Sequence, residues 1–179
     1  MARAPTLPAW PRAWRKSSGR TKLPRVSQSG LFLPATPRLR LAIRRIQTLF
    51  RERRNFAVET TLAGRRYPQL LVRAKSEGWS TGIAYVGVAT PDLAIERVRE
   101  RVSRGGHDVP PPDVRRRYQR SLVNLVHISK SVDRLVVIDN SSVDTRMRRV
   151  LELQNGVVAF ALDELPGWVE QIRDAILAP

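Results

Sequence analysis

Apolar residues recur along this chain in two rhythms. In residues 38–54, Leu39, Ala42, Ile43, Ile46, Leu49 and Phe50 return at helical spacing with basic residues opposite, which predicts an amphipathic helix. Phe56-Ala57-Val58 followed by Glu59-Thr60-Thr61 predicts a short strand with polar groups at its C-terminal end. Residues 62–76 return to helical character, chiefly from Pro68, and Gly78 stops them. Residues 83–88 (Ile-Ala-Tyr-Val-Gly-Val) and 135–138 (Leu-Val-Val-Ile) read as buried strands by length and β-branching, the second ending in Asp139-Asn140-Ser141. Residues 150–160 predict a β-hairpin turning at Asn155-Gly156 as type I′, and residues 166–177 a closing helix; hairpin and helix together span about 148–178. This alternation predicts an α/β chain with a parallel sheet flanked by helices. Ligands of such sheets lie beyond the carboxyl ends of the strands. Those ends carry Glu59-Thr60-Thr61 and Asp139-Asn140-Ser141.

Between the two buried strands, residues 91–121 read as two short helices facing each other across a tight turn. Thr90 stands where an N-cap belongs and Pro91 at the first helical position. An apolar stripe of Leu93, Ala94, Val98 and Val102 leaves Arg97, Arg101 and Arg104 at i, i+4 and i+7, on one side. Gly105-Gly106 ends the helix, and His107-Asp108-Val109 leads into Pro110-Pro111-Pro112. Asp113 can then cap a second helix that buries Val114, Tyr118, Leu122 and Leu125, with Arg115, Arg116, Arg117 and Arg120 around the rest. Two arginine-bearing helices make a clamp for a group with several negative oxygens, phosphate foremost. The competing reading is a solvated face whose arginines pair with Asp92, Glu96, Glu100, Asp108 and Asp113. His107, beside two glycines, reads first as a turn residue and only second as an acid or base.

Charge sharpens this division. The chain carries +16 overall, yet residues 1–50 hold 11 Lys+Arg and no Asp or Glu, leaving 21 basic and 16 acidic residues for the remainder. A nucleic-acid-binding surface on the folded part is therefore not expected, except through the basic N-terminal arm. That arm, residues 1–37, sets six prolines among Arg, Ser and Ala and is expected to be disordered, with the folded domain at 38–179. An acid-free, Arg- and Ser-rich start resembles a transit peptide, but its prolines deny it an amphipathic helix. The absence of Cys excludes disulfides and zinc–thiolate sites, and only two His argue against a histidine metal centre. No apolar run reaches spanning length, so the expectation is a cytoplasmic protein without a membrane partner.

The run Phe56-Ala57-Val58-Glu59-Thr60-Thr61-Leu62-Ala63-Gly64 resembles a known family. So do Arg97-Val98, Arg101-Val102, Gly105-Gly106-His107-Asp108-Val109-Pro110, Arg116-Arg117-Tyr118, Arg120-Ser121-Leu122 and Asp139-Asn140-Ser141, in that order. Together, over roughly residues 38–145, they are similar to the zeta-toxin group of P-loop kinases, which includes proteins described as UDP-N-acetylglucosamine kinases. The resemblance implies a P-loop NTPase-like fold with a helical Arg-rich lid at about 91–121. It implies ATP and Mg2+ as cofactors and γ-phosphoryl transfer to a hydroxyl of a nucleotide sugar. Arg101, Arg117 and Arg104 would steady the transferred group; Arg97, Arg120, Asp139 and Asn140 would hold the nucleotide; Glu59, Thr60 and Thr61 would bind the substrate hydroxyl. Loose phosphoryl transition states spread charge over equatorial oxygens, which is why positioned cations matter there. An antitoxin protein is a further expected partner.

The chain departs from the family at its start. It contains no Gly-x-x-x-x-Gly-Lys-Ser/Thr; Lys16-Ser17 follows Arg15 with no glycine upstream. The family's general-base Asp, expected before the helix at 38–54, has no counterpart because residues 1–50 hold no carboxylate. The expectation is that residues 1–37 replace a lost first strand and phosphate loop through truncation, a frameshift or a misplaced start. Three functions follow: an ATP-dependent kinase, a catalytically dead phosphate-, nucleotide- or antitoxin-binding domain, or a nucleic-acid-binding protein using the arm. For this polypeptide the second stands ahead of the first.

Overall fold

The computed structural model of the chain describes residues 25–27, 37–142 and 147–178. Contacts divide it into two compact units, with a boundary between Thr61 and Leu62. The first unit contains strand β1 (Arg25–Ser27), helix α1 (Pro37–Arg51) and strand β2 (Ala57–Glu59). The two strands pair in parallel, Arg25 opposite Ala57 and Ser27 opposite Glu59. Most of the stretch expected to be a disordered arm lies outside the described residues, but Arg25–Ser27 within it is a strand. Along α1 the helical spacing is realised: Ile46, Leu49 and Phe50 are buried, and Arg44, Arg45 and Arg51 are exposed.

The second unit begins at Leu62 and runs α2 (Arg66–Ser76), β3 (Gly82–Gly87), α3 (Pro91–Ser103), α4 (Pro111–Ser129), β4 (Arg134–Asp139), β5 (Arg148–Gln154), β6 (Val157–Ala161) and α5 (Gly167–Leu177). Its sheet has the order β3-β4-β5-β6. β3 and β4 are parallel, but β4–β5 and β5–β6 are antiparallel, so the expected parallel sheet is corrected to a mixed one. Connection length explains the difference. A parallel crossover needs about a dozen residues or more. Two whole helices separate β3 from β4, whereas only residues 140–147 separate β4 from β5.

A second correction concerns β3. It lies at one end of the described sheet, and Ala84 and Val86 are exposed, so it is not the fully buried strand its composition suggests. The interior strand is β4, where Leu135, Val136, Val137 and Ile138 are each at most 3% exposed. Leu125 and Ile128 of α4 and Val169, Ile172 and Ile176 of α5 join the core that includes Leu135, Val137 and Leu151. The β5–β6 turn has Asn155 and Gly156 at φ 51° and 79°, the pair of positive values a type I′ turn requires.

Leu62 opens this unit in the left-handed region at φ 57°, a backbone state that costs a residue with a side chain about 1–2 kcal/mol. Its side chain is 5% exposed within the core, and Asn124 Nδ2 on α4 donates to its carbonyl at 2.7 Å, both of which help hold it there. Asn124→Ala should lower stability by about 1 kcal/mol, through loss of one partly buried hydrogen bond. Urea denaturation at neutral pH would measure it, and an unchanged midpoint would show that the turn does not depend on this bond.

Candidate functional site at the carboxyl end of the parallel strands

Where β3 and β4 end side by side, Gly87 sits opposite Asp139 and Asn140 N–H donates to the Gly87 carbonyl at 2.8 Å. Three further bonds fix the loop from β3 to α3. Ala89 N–H donates to Ser141 Oγ at 2.8 Å, and Tyr118 on α4 donates its hydroxyl between the Val88 and Ala89 carbonyls at 3.1 and 3.0 Å. Thr90 Oγ1 then accepts from Leu93 N–H at 3.1 Å, the N-cap its position predicts. The base of the helical hairpin is thus tied to the open end of both parallel strands.

Below this tie, Ser121 donates its Oγ proton to the Tyr118 carbonyl at 2.7 Å and accepts from the Tyr85 hydroxyl at 2.8 Å. Burial pushes the Tyr85 hydroxyl up to about 12; the Ser121 bond opposes that and neighbouring Tyr118 reinforces it. Tyr118 is also raised by burial. Both rings are therefore neutral donors at physiological pH. Asp139 Oδ1 accepts from Ser141 Oγ and from Trp168 Nε1, the latter at 3.0 Å. Trp168 in turn closes over Gly87, where a Cβ would come within 2.4 Å of its ring.

The lid differs from two facing rods across a tight turn. The connection of residues 104–110 doubles back along α3: Gly106 N–H returns to the Arg101 carbonyl at 2.9 Å, and Val109 packs with Val114 against Ile95. α4 consequently begins beside the middle of α3, and Arg115 pairs with Asp92 at the first turn of α3. Asp113 is not a cap. Pro110 is the N-cap residue, without a side-chain bond, and Asp113 lies inside the first turn, ion-paired to Arg116 at 2.8 Å. Proline suits the first helical turn because the N–H it lacks has no intrahelical partner there.

The candidate arginines meet different fates. Arg97 is ion-paired with Glu100 at 3.2 Å, and its Nε is buried without a hydrogen-bond partner among the described residues. Arg101, exposed on α3, donates Nη2 to the His107 carbonyl at 2.7 Å, so it braces the returning loop. That bond also identifies His107 as a loop residue through its backbone. Arg104 is not on the α3 wheel; it is the C-cap, exposed, beyond the last helical residue Ser103. Arg117 is half-buried on α4 and Arg120 exposed. The side chains of Arg99, Arg104 and Arg120 have no ion-pair or hydrogen-bond partner among the described residues.

Glu59, Thr60 and Thr61 are exposed at the end of β2 and belong to the first unit, while the arginines, Asp139 and Asn140 belong to the second. Asp139 and Asn140 are half-buried and support the strand ends as described. Of the residues that build the site, Tyr118 and Ser141 lie in stretches the sequence singles out but with no role of their own, and Trp168 carries no sequence signal. Trp168 in particular comes from the far end of the chain.

No family model matches this chain, and no solved structure matches it. A protein of Haemophilus influenzae, described as an uncharacterized protein, is 30% identical to it over 91 residues, which is 48% of this chain and 65% of that protein.

Proposed function

We propose that this chain is a phosphate-binding domain of the zeta-toxin kinase type, which holds the polyphosphate of ATP against its Arg-rich helical lid. One observation carries the reading: the hairpin that bears eight arginines between residues 97 and 120 is tied by Tyr118 and Ser141 to the carboxyl end of the parallel strands. That is where α/β sheets bind ligands. Ion pairing with Asp92, Glu100 and Asp113 occupies Arg115, Arg97 and Arg116, and leaves Arg99, Arg104 and Arg120 without such a partner among the described residues. Guanidiniums with spare donors suit phosphate oxygens.

The residues present fit the phosphates of ATP better than a protein-built metal site. Among the described residues there is no group of three or more His, Cys, Asp or Glu able to hold a metal ion. Magnesium would arrive on the nucleotide, as it commonly does, with Asp139 as the carboxylate at the strand ends. ATP would supply the transferable phosphoryl group. A P-loop NTPase-like arrangement belongs to this same proposal, as does a nucleotide-sugar hydroxyl, that of UDP-N-acetylglucosamine, held by Glu59, Thr60 and Thr61.

Turnover asks for more than the lid. A hydroxyl attacking the γ-phosphorus must lose its proton to a base, and the phosphates need a backbone cradle. The family's sequence forms of both are missing from this chain, so binding without transfer is the reading for the polypeptide itself. Calorimetry with ATP and magnesium should detect binding, and the pair Arg104→Ala, Arg120→Ala should weaken it at least tenfold, since loss of even one hydrogen bond from a charged group implies about that much. Labelled ATP with UDP-N-acetylglucosamine should yield no phosphorylated sugar. Absence of any ATP binding would end the proposal; phosphorylated sugar would restore the kinase.

A further inference from the structure

The largest concentration of unmatched charge lies outside the lid. Residues 1–61 hold 14 Lys+Arg against two acids, Glu52 and Glu59, so they carry +12 of the chain's +16. Within the described part of that unit, the charge has a definite seat. Ile46, Leu49 and Phe50 are 5%, 0% and 8% exposed, which fixes one side of α1 inward. Arg44, Arg45 and Arg51 stand exposed on the rest of its surface, and Arg53 and Arg54 extend the row past its end. Arg44 and Arg51 are seven residues apart, two turns on the same side and about 10 Å along the axis. Among the described residues the side chains of Arg44, Arg45 and Arg51 have no ion-pair or hydrogen-bond partner, and the one carboxylate in the row, Glu52, pairs with Arg54 at 3.4 Å.

We propose that this face of α1 and its C-terminal turn is a docking surface for the phosphate backbone of double-stranded nucleic acid. A rigid row of exposed cations complements a polymer that carries a negative charge about every 1.7 Å of duplex. A membrane surface is the poorer match. Helices that lie in an anionic interface insert an apolar face, whereas on α1 Ile46, Leu49 and Phe50 are already buried and leave Leu41, 69% exposed, as the one large apolar side chain exposed among its described residues. No base-reading pattern accompanies the row, so binding would be independent of sequence.

The test uses the full chain and a fluorescently labelled duplex of arbitrary sequence, in DNA and RNA forms, followed by anisotropy across a salt series. Four to five phosphate contacts predict that log K falls with log salt at a slope of about −4 on B-DNA. The triple change Arg44→Gln, Arg45→Gln, Arg51→Gln should flatten that slope by about 3 and weaken binding at least tenfold at low salt. Glu52→Gln should strengthen binding by releasing Arg54, which no folding defect would do. Four results would overturn the proposal: no binding to either duplex, an unchanged slope in the triple variant, loss only on changing basic residues of 1–24, or stronger α1-dependent binding to phosphatidylserine vesicles. RNA over DNA, or the reverse, would identify which duplex geometry the row prefers.

Discussion

Glu152→Leu should destabilise the second unit by about 3–5 kcal/mol, because it takes the carboxylate away from a mostly buried cation. Glu152 is 3% exposed in the middle of β5, and its carboxylate is fully engaged. Arg134 Nε donates to Oε1 at 2.8 Å, Gln154 Nε2 to the same oxygen at 3.1 Å, and Arg149 Nη1 to Oε2 at 3.1 Å. The Arg134 side chain is itself only 12% exposed, so water offers it little in exchange. Arg149 is better placed to survive the loss, since its guanidinium lies over the Phe160 ring at 4.0 Å. Glu152→Gln, which keeps an acceptor for Arg134, should cost distinctly less. Equal losses in the two variants, measured by denaturant midpoint, would show that shape and not charge is what the site requires.

The same carboxylate ties stability to pH. Burial alone would raise its pKa, but hydrogen bonds from Arg134 and Gln154 and the charges of Arg134 and Arg149 outweigh that and hold it below the ordinary carboxylate value. The folded chain therefore releases this proton more readily than the unfolded chain. Its contribution is complete above the unfolded value of about 4.5 and is lost as pH falls through the lower folded value. Asp133 acts in the same direction: burial raises it, but bonds from Lys75 at 2.7 Å and from Thr81 N–H at 2.7 Å lower it further. Denaturant midpoints from pH 7 downward should decline below pH 4.5, and decline less in Glu152→Gln.

Gly87→Val should cost about 3 kcal/mol, at the upper end of what overpacking a close-packed site exacts. A Cβ at this position would meet Trp168 Cη2 at 2.4 Å, Trp168 Cζ3 at 2.8 Å and Tyr85 Cε1 at 2.9 Å. Neither ring can step aside freely. Trp168 is 7% exposed and pinned by its bond to Asp139, and Tyr85 is held by Ser121. The backbone of Gly87 is not in the left-handed region, so space alone is at stake. Trp168→Leu removes the obstructing ring edge and should recover part of the loss in the Gly87→Val background, although it destabilises the native chain. Such coupling is what residues in direct contact show. Strictly additive losses in that double-mutant cycle would mean that the strand shifts and the ring stays. Because Gly87 ends β3 beside Asp139 and Asn140, the variant should also disturb whatever ATP binding the lid supports.

What the chain's order of residues determined by itself is the set of features that rest on neighbours a few positions away. Thr90-Pro91 opens α3, Asn155-Gly156 forms the hairpin turn, and the spacing of Ile46, Leu49 and Phe50 selects the inner side of α1; each is a local matter of caps, dihedrals or period. Tertiary structure decided the rest. The antiparallel entry of β5 beside β4 depends on which strand lies within reach of a short connection. The capture of Arg101 by the His107 carbonyl depends on residues 104–110 folding back, which removed Arg104 from the expected row. Glu152 gains Arg134 as a partner only when β5 pairs beside β4. Trp168 reaches Gly87 and Asp139 only because α5 packs on the core with its first turn at the strand ends. Spacing along a chain specifies what a residue shares with its own helix or strand; partners dozens of positions away are chosen by packing.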